Sequence, residues 1–198
     1  INDVINSLRT VHPQPSTCWT CKSSDVPRLM NEMGIDSFYR TPLKDLGHEV
    51  VNPIGCLDCH DPKTMNLRLS RPAIIEAYQR QGIDPKNFSH QEMKSQVCAQ
   101  CHSEYYFKGP GRYLVFPWDE GFTVEQMEKF YDDAEHTDWV HALSRAPMLK
   151  SQHPDYEIYK LGIHGKRGVA CADCHMPYKT EGAVKFTDHH IQSPLSKI

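Results

Sequence analysis

The chain has no apolar run long enough to cross a bilayer. A spanning helix needs about 18 or more consecutive apolar residues, and YLVF and the stretch around Val169 to Ala172 fall far short of that. Basic runs are also missing, which argues against nucleic acid as a partner. No internal repeat is present, and the opening INDVINSLRT lacks the charged and apolar regions of a signal peptide, so any such segment has been removed or lies upstream. Apolar residues make up only 39% of the 198, with 24% charged and 14 prolines, a thin supply for a core of this size. Finally, no cysteine stands alone. All eight fall into four Cys-x-x-Cys pairs.

The pairs are Cys18 with Cys21, Cys56 with Cys59, Cys98 with Cys101, and Cys171 with Cys174, and the residues that follow them are Lys22, His60, His102 and His175. Structural zinc, disulfides and thioredoxin-like chemistry all use paired cysteines, but none of them asks for a histidine directly after the pair. With 12 histidines in 198 residues, three such placements would arise by chance on the order of once in a thousand, whereas Cys-x-x-Cys-His is the attachment sequence of c-type haem. The two thiols bind the porphyrin edge and the histidine ligates the iron. Covalent haem attachment takes place outside the cytoplasm, so a periplasmic location is expected. Four porphyrins supply the apolar bulk that the side chains lack. Their propionates make the loaded protein more acidic than its formal charge of −3.

Lys22 is the deviant. A ligating amine must be neutral, and removing its proton at pH 7 costs about 4.6 kcal/mol from an ordinary lysine pKa, while histidine costs almost nothing. Either Lys22 is solvated and another group binds that iron, or this haem has a different proximal ligand and a free face for substrate. In the second case the histidine-ligated haems carry electrons.

Secondary structure is expected to be mainly α, with helices over 24–32, 70–81 (Ser70 as N-cap, Pro72 in the first turn), 91–102, 124–134 (opened by the Thr123/Gln126 capping box) and 154–161 (ended by Gly162). Strand signals are limited to 112–116 and 183–187. The fold class is therefore a multihaem cytochrome c fold, organised around covalently bound haems with little β.

The motifs CWTCK, CLDCH, CAQCH-SEYYF, PMLKSQHPDYE, GIHGKRGVACADCH and TDHH, in this order through essentially the whole chain, resemble the ammonia-forming cytochrome c nitrite reductases. These are pentahaem enzymes that reduce nitrite to ammonium with six electrons at a Lys-ligated haem. The resemblance implies a catalytic haem on Cys18 and Cys21 with Lys22 proximal, and a distal pocket of Arg9, Tyr105 and His153. A guanidinium, a phenol and an imidazole suit an anion whose oxygens must be held and protonated. Outside the motifs, Arg9 would read as a surface charge, Tyr105 as a half-buried aromatic, and His153 as a helix cap or a distal haem ligand.

The resemblance further implies a calcium site beside the pocket, made by Glu104, the backbone carbonyls of Tyr105 and Lys150, and the side-chain carbonyl of Gln152, with water completing the shell. It gives His189 rather than His190 as distal ligand of the Cys56/Cys59 haem, and His164 as distal ligand of a fifth haem. Yet no fifth Cys-x-x-Cys-His is present, nor are the histidines that complete the Cys98/Cys101 and Cys171/Cys174 haems, nor the long C-terminal helices of the family's homodimer. The expectation is that residues 1–198 are part of a single multihaem catalytic domain with both ends missing; a short tetrahaem relative is the alternative. The cofactors implied are haem c and calcium. Nitrite is the implied substrate, and the implied electron donor is a membrane-anchored quinol-oxidising multihaem cytochrome or a soluble multihaem one. Rival readings are an electron-transfer cytochrome without a substrate site, and a related multihaem enzyme acting on hydroxylamine or sulfur oxyanions.

Overall fold

In the computed structural model, residues 14–197 are described. They form a mainly helical chain with three two-stranded antiparallel hairpins among the described residues. A 3-10 turn, Ser16–Cys21, leads to α1 (Val26–Met33) and α2 (Ile35–Arg40). The two helices are separated by Gly34 at φ +83°, a conformation that a side chain resists. Helix α1 buries Val26, Leu29 and Met30, a stripe at i, i+3 and i+4. Next come α3 (Cys56–Cys59), α4 (Pro72–Arg80) and α5 (His90–Ala99). The hairpin β1 (Tyr106–Lys108) with β2 (Tyr113–Val115) precedes α6 (Val124–Asp133). The short pair β3 (Trp139–Val140) and β4 (Pro147–Met148) is followed by α7 (Asp155–Leu161), α8 (Ile163–Lys166) and α9 (Cys171–His175). The last hairpin is β5 (Tyr178–Glu181) with β6 (Val184–Thr187).

Several helix limits follow from the sequence. The Thr123/Gln126 box opens α6, and Ser89 with Glu92 forms a second box that starts α5. Helix α7 stops at Gly162, and α8 folds back so closely that a Cβ on Gly165 would collide with the backbone oxygen of Tyr159. One expectation fails. Ser70 does not cap α4: the position before the helix is Arg71 and no side chain caps it. Ser70 faces the third attachment turn instead, its amide donating to Gln100 Oε1 at 3.0 Å. The expected helix over 91–102 ends at Ala99, so its attachment pair straddles the helix end.

The core is aromatic. Trp118 is fully buried, with ring centroids of Phe116 at 4.9 Å, Phe122 at 5.1 Å and Tyr78 and Tyr156 each at 5.4 Å. Three of its polar side chains pair with one another: Tyr78 donates to Gln96 Oε1 at 2.8 Å, and Gln96 Nε2 donates to the Tyr156 hydroxyl at 2.7 Å. Beside them, buried Glu157 accepts from Trp118 Nε1 at 2.6 Å and from the Glu104 amide at 3.0 Å. This acceptor locks α7 to the segment after the third attachment turn. Glu157→Ala leaves two buried donors unsatisfied at about 1–3 kcal/mol each, so a clear loss of stability is expected in denaturant titrations. Glu157→Gln keeps the acceptor oxygen and should lose much less. Equal losses would show that burial of the charge, not the two bonds, governs the site.

Candidate haem and substrate site

Each Cys-x-x-Cys-His segment is one turn of helix. The amides of His60 and His102 donate to Cys56 O at 2.8 Å and Cys98 O at 2.9 Å, so both cysteines and the histidine lie at i, i+3 and i+4 on one face. At Lys22 the turn is tighter, with the amide bonded to Trp19 O at 2.9 Å. In CLDCH and CADCH the aspartate closes its own turn, Asp58 Oδ2 accepting from Gly55 N at 2.7 Å and Asp173 Oδ2 from Ala170 N at 2.8 Å.

The eight cysteines differ in their surroundings. Cys18, Cys21, Cys59, Cys98, Cys101 and Cys171 are half-buried, whereas Cys56 and Cys174 are exposed. Cys174, expected to anchor the fourth haem with Cys171, is thus held by no protein packing of its own. The reason is its place in the last turn of α9, followed at once by exposed His175. The protein leaves that side of the turn uncovered, and a porphyrin bonded there would cover it.

The histidines are oriented as haem ligands require. Nδ1 is held by Met65 O at 2.7 Å in His60, by Asp155 Oδ2 at 3.1 Å in His102, by Gln192 O at 3.1 Å in His175 and by Thr187 O at 2.9 Å in His189. An outer partner on one ring nitrogen leaves Nε2 for the metal. The His60 and His189 rings stand 6.1 Å apart, enough for a metal with bonds of about 2 Å to each imidazole. His190 instead turns to Asp188 at 2.8 Å. His164 lies exposed on α8. These residues fit haem.

The turns are also neighbours. The Cys21 thiol is lowered by a hydrogen bond from Cys101, and the Cys171 thiol by one from Cys98. The third attachment site therefore touches both the first and the fourth, and in the fourth it does so at Cys171.

Tyr105 lies beside the first site. Burial, and then the nearby thiols of Cys21 and Cys18, push its phenol above the ordinary value. Its ring is 5.3 Å from that of His153, which in turn lies 6.2 Å from His102. Unlike the four histidines above, His153 has a buried Nδ1 with no partner. Lys22 is exposed on the same turn. Arg9 lies outside the described residues. Arg112, which the sequence offered only as the start of a strand, brings a second cation. Burial raises the Cys18 thiol, and the charges of Lys22 and then Arg112 oppose that rise; the Arg112 carbonyl accepts from Thr17 Oγ1 at 2.6 Å.

Of the residues expected to hold calcium, Glu104 and Gln152 are in contact, and Lys150 is bonded to Asp138. Buried Glu104 accepts from Tyr131 OH at 3.0 Å and, through Oε2, from the Gln152 amide at 2.7 Å; the Lys150 amide donates to Asp138 Oδ2 at 2.6 Å. Asp138 is a residue the sequence reading missed, since nothing near it marks a site. Burial, with Glu157 and Asp138 adding like charge, pushes the Glu104 carboxyl up, a penalty that a bound cation would relieve. Among the described residues no three His, Cys, Asp or Glu side chains converge on one point. The donors expected from the sequence are a carboxylate and carbonyls, which suit calcium rather than a softer metal.

A family model described as cytochrome c552 matches residues 1–198. The chain belongs to the cytochrome c552 family. The cytochrome c-552 of Bacteroides thetaiotaomicron is 65% identical over 205 residues, which take in 100% of this chain and 42% of that protein. That of Porphyromonas gingivalis is 61% identical over 204 residues, 99% of this chain and 41% of its own length. Among solved structures, cytochrome c nitrite reductase from Desulfovibrio desulfuricans, described with two calcium sites in its catalytic subunit, matches with a TM-score of 0.83 and 40% identity over 92% of this chain and 42% of that one. The chain thus spans about two-fifths of the length of these cytochrome c552 relatives. Membership of the cytochrome c552 family supports haem c as the group that such attachment motifs carry. Among the described residues no helix is long and apolar enough to cross a membrane.

Proposed function

We propose that this chain is the haem-bearing central portion of a periplasmic nitrite reductase that forms ammonium, with the catalytic haem on Cys18 and Cys21 and Lys22 as its iron ligand. The observation that carries the reading is that Tyr105 lies beside the one attachment turn that ends in lysine, with the His153 ring 5.3 Å from its own. When bound, the haem there supplies electrons to nitrite through its iron, fed by the haems on Cys56/Cys59, Cys98/Cys101 and Cys171/Cys174. Everything else falls to side chains. His153, with an unpartnered Nδ1 facing the interior, is poised to hold a nitrite oxygen and to pass protons to it. Tyr105, its phenol pushed up above all by burial, donates a hydrogen bond without losing its proton. Arg9 completes the anion site with a permanent charge. His60 and His189 would together hold the second haem, His102 and His175 would hold the third and fourth, and His164 would hold a fifth haem of the whole protein. Nitrite is then the substrate, a multihaem quinol-oxidising or soluble cytochrome the donor, and a homodimer the working assembly.

Glu104, Lys150 and Gln152, with the backbone of Tyr105, would hold calcium, and Asp138 stands where it can orient a bound water. Such an ion ties the Tyr105 and His153 segments to each other. Removing it with a chelator should therefore lower nitrite turnover while every haem stays attached, as read by elemental analysis, haem mass and activity on one sample. An intact, fully active enzyme without calcium would eliminate this site.

One observation favours the rival electron-transfer reading. The His102–His153 separation of 6.2 Å nearly equals the 6.1 Å between His60 and His189, so His153 has the spacing of an axial partner. Against it, the other four histidines are each anchored through Nδ1 and His153 is not. Electron paramagnetic resonance of the oxidised protein separates the two: a Lys-ligated haem with an open or water-bound face supports catalysis, and closed two-ligand haems throughout support electron transfer alone.

A further inference from the structure

Three of the four attachment turns meet at a single dipeptide, Ser70–Arg71. Arg71 is fully buried, and its guanidinium donates from Nε to Thr20 O at 2.6 Å, from Nη2 to Ser23 O at 2.9 Å and to Asp58 Oδ1 at 2.6 Å, and from Nη1 to Ser70 Oγ at 2.8 Å. Ser70 donates through its amide to Gln100 Oε1 at 3.0 Å and through its hydroxyl to Asp58 O at 2.8 Å; Gln100 Nε2 returns to that same carbonyl at 2.8 Å. Thr20, Asp58 and Gln100 share one feature. Each is the residue just before the second cysteine of its pair, namely Cys21, Cys59 and Cys101.

We infer that Arg71 is a positioning residue for the catalytic centre, clamping the backbone on either side of Lys22 while its ion pair with Asp58 fixes the first attachment turn against the second and, through Ser70, the third. The two carbonyls it holds belong to Thr20 and Ser23, which bracket Cys21 and Lys22. The planar fork of arginine reaches three directions from one place, which a lysine ammonium does not reproduce. Its charge is buried between the first and second turns, so the same group that sets the geometry sets a fixed field between two haems. Asp58 offsets that field. The fourth turn has a separate clasp, in which Asp173 pairs with Lys94 and accepts from Gln91 Nε2 at 2.7 Å, both from α5.

This inference rests on the reading of Lys22 as an iron ligand, and the test keeps the two apart. In the full-length haem-loaded enzyme, Arg71→Lys should retain every haem by mass yet lower kcat for nitrite by about 10-fold or more, the scale seen when an outer partner of a metal ligand is lost. KM should change little, because Arg71 does not touch substrate, and the resonance spectrum of the Lys-ligated haem should change while the others hold. Asp58→Asn keeps the shape but leaves the Arg71 charge uncompensated. It should raise the reduction potentials of the haems on Cys18/Cys21 and Cys56/Cys59, and this shift does not depend on what ligates the first iron. Wild-type spectra, potentials and turnover in both variants would overturn the inference, as would a loss of turnover that merely tracks the fraction of unloaded protein. If Arg71→Lys yields no mature enzyme, the Asp58→Asn potentials decide. A wild-type spectrum without lysine ligation would defeat the reading of Lys22 and leave the potential shift as the test of the clamp.

Discussion

Lys22→His should leave a haem bound at Cys18 and Cys21 but lower nitrite turnover by at least the 10- to 100-fold that loss of a supporting partner costs at a metal site. Attachment depends on the two thiols, and these are untouched. What changes is the donor beneath the iron. Keeping a neutral amine at pH 7 costs about 4.6 kcal/mol relative to an ordinary lysine, so a chain that places lysine here and histidine at three sister sites accepts that cost for an effect on the iron that imidazole does not reproduce. The exposed position of Lys22 is consistent with a residue whose partner is the haem rather than another side chain. Turnover per covalently attached haem, with mass spectrometry to confirm loading, is the measurement. Unchanged turnover, or a native spectrum with Lys22 unbound, removes lysine from the mechanism.

His153→Ala should cut nitrite reduction by about 10²-fold or more, the usual range for a general acid–base group. The haems should stay attached and reducible, since no iron depends on this ring in the proposed arrangement. Its neighbours make the effect local: Tyr105 lies 5.3 Å away ring to ring, and the adjacent Gln152 is pinned through its amide to Glu104 at 2.7 Å. A variant that loses a six-coordinate signal and keeps its turnover would make His153 the axial partner of His102, and the catalytic pocket would have to be sought elsewhere.

Much of this architecture was legible in the sequence where the cause is local. The Thr123 box and Gly162 mark real helix ends, and Cys-x-x-Cys-His is itself one helical turn. Ser70 misled because a serine before proline has the composition of a cap, while its actual partner is Gln100, thirty residues on. β1 was missed because SEYYF drew the eye as a site motif; only pairing with 113–115 makes it a strand. The spacing of the four pairs could not tell a half-buried anchor such as Cys171 from an exposed one such as Cys174, because exposure depends on what packs against the turn and not on the motif. Arg71 and Asp138 were missed for a related reason. Each owes its role to groups distant in sequence, and a buried ion pair leaves no periodic trace.

The tail after β6 has a consequence for maturation. His189 faces His60, far back in the chain, and the carbonyl of Gln192 holds His175, 17 residues before it, so one short stretch after β6 secures a distant turn and a near one. The contact with His60 closes the longer loop and forms later than the contact with His175, because its ends must find each other through more intervening chain. In the haem-bearing reading, the second turn thus stays open to attachment longer than the fourth.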